Sequence, residues 1–121
     1  MLVKEGGTLI LVTPAPKGIA PDHPQLIALG TTPGSQALAR VERGEISDGV
    51  AAATYLALDQ TRRRVNIILV SDGITQAEAN RIGLAATPDL ASALASALAR
   101  HGDGARVGVV THGADIMGRF K

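Results

Sequence analysis

Val65-Asn-Ile-Ile-Leu-Val70 is six residues long, five of them aliphatic, with no alternation between apolar and polar positions. A run too short for a helix and apolar on every side reads as a strand buried on both faces, the kind found in parallel sheets. Thr8-Leu-Ile-Leu-Val-Thr13 repeats the pattern, and Arg106-Val-Gly-Val-Val-Thr111 repeats it with one interruption at Gly108. Strands near 8–13, 65–70 and 106–111 need helices above and below them. The expected fold is therefore a three-layer, Rossmann-like α/β domain with a small, mostly parallel sheet covered on both faces.

The segments between the strands supply the helices. Thr32-Pro33 offers an N-cap followed by proline, and Gly44 a stop, which predicts a helix over 32–43. Ser47 or Asp48 opens a second helix through Gln60, so apolar from Val50 to Leu58 that we read it as core more than as a docking face. Thr75-Gln-Ala-Glu78 is a capping-box pattern with Ile74 before it and Gly83 after. Thr87-Pro88-Asp89 opens the last helix, where Leu90, Leu94 and Leu98 recur every fourth residue to form one face. A shorter helix or turn is expected over 23–29, and Leu84 to Ala86 can add a short edge strand. Ahead of the first strand, Leu2-Val-Lys-Glu followed by Gly6-Gly7 reads as a helix end with its left-handed glycine stop. That helix has no body here, so the 121 residues are expected to be one domain, a piece of a longer protein.

Composition narrows the function classes. Apolar residues are 45% of the chain but aromatics only 2%, Tyr55 and Phe120, so stacking platforms for single-stranded nucleic acid are missing. Twelve basic against eleven acidic residues leave a net charge of +1, too little to attract nucleic acid or an acidic membrane. There is no cysteine, hence no disulfide, thiol nucleophile or thiolate metal site, and no apolar stretch of about 20 residues that would cross a bilayer. A cytoplasmic protein is expected.

Ligands of parallel sheets gather beyond the carboxyl ends of the strands. The segments Thr13-Pro-Ala-Pro-Lys17-Gly18, Ser71-Asp72-Gly73 and Thr111-His112-Gly113-Ala114-Asp115 lie there. The ligand-facing candidates are thus Lys17, Ser71, Asp72, His112 and Asp115. Serine, histidine and aspartate on one rim bring a hydrolytic triad to mind, yet Ser-Asp-Gly after a strand is ordinary turn chemistry and the Gly-x-Ser-x-Gly elbow is absent. His23, His101 and His112 show no metal-ligand spacing, and no glycine-rich phosphate fingerprint occurs. Arg62-Arg63-Arg64 reads as the solvated, dipole-compatible end of a helix. No catalytic residue and no metal ligand is assigned.

The run Val3-Lys-Glu-Gly-Gly-Thr-Leu-Ile-Leu-Val12 followed by Pro14-Ala-Pro-Lys-Gly18 resembles the start of the C-terminal α/β domain of the nickel-dependent lactate racemase family. Asp48-Gly-Val-Ala-Ala-Ala53, Ile68-Leu-Val-Ser-Asp72, Arg81-Ile-Gly-Leu84, the helix after Pro88 and Arg106-Val-Gly-Val-Val-Thr-His-Gly113 follow in the family's order, across nearly the whole chain. The resemblance implies an isomerase that racemises or epimerises a 2-hydroxy acid with a nickel-pincer nucleotide. It also implies that the cofactor and the proton-shuttling histidines sit on an N-terminal domain, over which this one closes like a lid. The family's Tyr-Gln-x-x-Lys substrate motif does not occur in this sequence. On this reading the chain binds no cofactor by itself and is inactive alone. Two alternatives are a freestanding module using the rim around Lys17, Ser71 and His112 for a small anion, and a methyltransferase fragment lacking its cofactor strand.

Overall fold

The aliphatic run at 65–70 becomes the central strand of a parallel sheet in the computed structural model, which describes residues 3–113. Strand β1 is Thr8–Val12, β2 is Asn66–Val70 and β3 is Ala85–Thr87. Between β1 and β2 lie α1 (Gln25–Leu29), α2 (Gly34–Glu42) and α3 (Gly49–Arg64). Between β2 and β3 lies α4 (Gln76–Arg81), and α5 (Leu90–His101) follows β3. The strand order is β1-β2-β3, with Thr8 opposite Asn66 through Val12 opposite Val70, and Ile68 opposite Ala85 through Val70 opposite Thr87.

Alternate residues of β2 feed different layers, because successive side chains of a strand point to opposite faces. Ile67 and Leu69 pack with Val65, Leu58, Ile74, Ala79, Ile82 and Leu84, under α3 and α4. Ile68 and Val70 pack with Ile10 and Ala93, under α5. Two crossovers of one hand, both stepping in the same direction across the sheet, put their helices on the same face and leave the other for α5. A further cluster of Leu26, Leu29, Ala37, Ile46, Ala51, Ala52 and Tyr55 binds α1 and α2 to the outer side of α3.

Local chemistry sets the element ends. Asp48 caps α3 by accepting from the Ala51 N–H at 3.0 Å. The Thr75–Glu78 capping box is complete, and Ile74 before it is buried. Asp89 caps α5 by accepting from the Ala91 and Ser92 N–H groups. Gly44 and Gly83 end their helices with φ of +74° and +71°, a region that costs glycine little.

Five expectations are corrected. Arg106–Thr111 is not a strand. A strand exists only through a ladder with a neighbour, and among the described residues the sheet stops at β1, leaving Val107, Val109 and Val110 exposed. The edge strand expected at 84–86 is real, as β3. The helix end read ahead of Gly6 is, over Val3 to Gly7, a turn closed by the Gly7 N–H on the Lys4 carbonyl at 3.0 Å. Pro33 rather than Thr32 occupies the N-cap of α2, and the Thr32 carbonyl accepts from the Tyr55 hydroxyl instead.

Helix α3 is core along Ala51, Ala52 and Tyr55 but leaves Val50 exposed, so its apolar sequence is not buried all round. The leucine face of α5 points outward. Ala93 and Ala97 meet the sheet, while Leu90, Leu94 and Leu98 remain 51%, 36% and 40% exposed. Small residues allow the helix to lie close against the strands, which turns the bulkier leucines to its flank.

Candidate functional site

The carboxyl ends of the strands hold the candidate rim, and its first property is tightness. Ser71 leaves β2 buried. Its hydroxyl donates to the Pro14 carbonyl at 3.2 Å and accepts from the Gly73 N–H at 3.1 Å. Gly73 in turn lies against the peptide after Pro14: a Cβ there would stand 2.0 Å from the Ala15 carbonyl oxygen. Ala15 itself holds a φ of +37°, unusual for a residue with a side chain, and its carbonyl accepts from the Gly18 N–H at 2.9 Å. The loop after β1 thus closes directly over the loop after β2.

Beside that closure a crevice of about 290 Å³ opens between β2 and β3, lined by Ser71, Asp72, Ile74, Thr75, Gln76, Ala86, Thr87 and Pro88. Most of its polar groups are committed. Gln76 donates to Asn80 and accepts from the Ala86 N–H at 3.1 Å, Thr75 caps α4, and the Thr87 hydroxyl accepts from the Asp89 N–H. The Asp72 carboxylate is the exposed charge of this crevice.

Of the five predicted site residues, the structure brings Ser71 and Asp72 together in one crevice. Lys17 is exposed on the loop after β1, and His112 is exposed with its Nδ1 3.0 Å from the Thr111 hydroxyl. Asp115 lies outside the described residues. No histidine bonds to Ser71 among the described residues, so the rim does not assemble a nucleophile with its base. The other histidines stand apart: His23 Nδ1 is 2.8 Å from Asp48, and His101 Nε2 is 2.8 Å from the Thr8 hydroxyl, tying the end of α5 to the start of β1. Among the described residues no three of His, Cys, Asp and Glu converge.

The opposite end of the sheet holds what the sequence reading missed. Asp59, only 5% exposed, accepts from Arg62 Nε at 3.1 Å and Nη2 at 2.8 Å, from Arg63 Nε at 2.9 Å and from the Gly34 N–H at 3.1 Å. Burial pushes its carboxyl pKa up. The hydrogen bonds and positive charges of the two arginines outweigh that and hold it below the usual carboxylate range. Arg62 goes on to donate to the Tyr55 hydroxyl at 2.9 Å and the Ile82 carbonyl at 3.0 Å. Its guanidinium is therefore not the solvated helix terminus expected from Arg62-Arg63-Arg64. The readable signal was the spacing: Asp59 stands three and four residues ahead of Arg62 and Arg63, where helical side chains meet.

Around this network runs a second cleft, of about 260 Å³, at the amino ends of β2 and β3. Arg62, Arg63, Arg64, Asn66 and Gly83 line it together with Arg100 from the last turn of α5.

No known protein-family model matches the sequence, and no curated protein is significantly similar to it. Among the described residues no helix is long and apolar enough to cross a membrane.

Proposed function

We propose that this chain is a lid-type C-terminal domain of a nickel-pincer lactate racemase-like enzyme, an isomerase of 2-hydroxy acids in the cytoplasm, and that it shapes closure of the site without doing the chemistry. The sequence segments that resemble that family, in its order, support the reading. So does the rim, where the one buried hydroxyl, Ser71, is spent on backbone groups.

The observation that carries the proposal is the apolar flank. Leu90, Leu94 and Leu98 of α5 stay exposed, as does Val12, which ends β1 on the face of the sheet that α5 covers. Lone exposed apolar residues are ordinary, but several on adjoining elements mark a surface that a partner covers. The occupant on this reading is the cofactor-bearing N-terminal domain, and closure against it would exclude water from the hydroxy acid.

The test supplies a cofactor-loaded N-terminal domain of a lactate racemase in trans and follows lactate enantiomers by chiral chromatography. The chain alone should leave either enantiomer unchanged, and the mixture should interconvert them. Leu94→Asp should weaken the mixture's activity while leaving the chain folded. Turnover by the isolated chain, or a mixture no more active than the added domain, refutes the proposal.

A further inference from the structure

We infer that the cleft at the amino ends of β2 and β3 binds a small dianionic oxyanion of the phosphate-monoester class. Four guanidinium groups from the ends of α3 and α5 line it, and one carboxylate, Asp59, answers them. The formal balance is four positive charges less one, or +3. Among the described residues neither Arg64 nor Arg100 pairs with a carboxylate, and Asn66, which also lines the cleft, makes no side-chain hydrogen bond.

The cleft has a fixed wall and free hands. Arg62 is the wall, with donors on Asp59, Tyr55 and the Ile82 carbonyl, and it is packed so closely under Gly83 that a Cβ there would approach its Nη1 to 2.9 Å. Arg63 is held by its Nε and stays largely exposed beyond it. Arg64, Arg100 and the Asn66 amide are the free hands. Planar guanidinium forks match the spacing of phosphate and carboxylate oxygens, and charge assistance makes those bonds the strong ones.

Helix dipoles do not account for this cluster. The dipoles of α3 and α5 favour a cation at each of these last turns, but a single cation at each end would meet that preference, whereas four guanidinium groups converge on one cleft. Size then limits the ligand: about 260 Å³ is below the roughly 300–1,000 Å³ of drug-sized sites. A single phosphate with a short carbon body suits that space. The site is independent of the racemase reading, since a lactate monoanion would satisfy few of these donors.

The experiment titrates the full chain, labelled with ¹⁵N, with inorganic phosphate, glycerol phosphate and lactate at low ionic strength. Phosphate and glycerol phosphate should give saturable shifts at the Nε–H signals of Arg63, Arg64 and Arg100, the Asn66 side-chain amide and the backbone of 83–85. Arg64→Gln with Arg100→Gln should weaken both by about a hundredfold, a tenfold loss for each fork, with the melting temperature unchanged because both side chains are exposed. Three results overturn the inference: no saturation, shifts centred instead on the Asp72 crevice, or lactate binding as tightly as phosphate. A double variant with undiminished affinity overturns it as well.

Discussion

Replacing Asp59 by asparagine should be among the most damaging single changes in this chain. The substitution keeps the volume and removes the charge that answers Arg62 and Arg63 in a site only 5% exposed. Four accepted hydrogen bonds are affected, three of them from guanidinium donors, and Arg62 is left as a largely buried cation whose remaining partners are the neutral Tyr55 hydroxyl and Ile82 carbonyl. Breaking a buried ion pair from one side costs about 3–5 kcal/mol. At about 4 °C per kcal/mol for a domain of this size, the melting temperature should fall by about 12–20 °C. The pH dependence gives a second readout. The folded Asp59 carboxyl titrates below its unfolded value of about 4, so its stabilisation is fully present above pH 4 and is lost as the pH falls from there through the folded pKa. Calorimetry from pH 7 down to pH 3 should show that acid-side loss in the parent chain and a flatter profile in Asp59→Asn. Equal melting temperatures at pH 7 would refute the network as a stabilising feature, and parallel acid profiles would refute the assigned titration.

Gly73→Ala should destabilise the fold by about 3 kcal/mol in urea melts, since its Cβ would stand 2.0 Å from a backbone oxygen that cannot swing away. Leu69→Ala removes a buried side chain between the sheet and α3 and should cost about 3 kcal/mol in the same assay. Thr75→Ala breaks the capping box of α4 and should cost about 1 kcal/mol, visible also as faster amide exchange at Glu78. Leu98→Ser, on the exposed flank of α5, should change stability by less than about 0.5 kcal/mol, and a larger loss would place that residue in the core.

The sequence carried the layer order well because it is written in local signals. The run at 65–70 could not be anything but a doubly covered strand, and Asp48, Asp89 and Thr75 begin their helices where side-chain oxygens can meet free N–H groups. What it could not carry is partnership. Arg106–Thr111 has strand composition, but composition does not supply a neighbouring ladder. The leucines of α5, four residues apart, have the spacing of a buried face, yet alanines are what close approach to a sheet selects. On the rim the same limit applies: topology puts Ser71 and Asp72 just past the carboxyl end of β2, but the commitment of the serine to Pro14 depends on a residue 57 positions away. Arg100 joins Arg62, Arg63 and Arg64 across a gap that only the fold closes.

Among the described residues strand β1 forms one margin of the sheet, and along Thr8–Val12 it has neither proline nor charge, while Leu11 and Val12 are open to water. Natural margins of this kind are usually blunted by lysine, a bulge or a covering loop. One without such guards is self-adhesive, so the concentrated stocks that spectroscopy needs will tend toward lateral stacking of molecules, and a single lysine at position 11 should raise the concentration at which samples cloud.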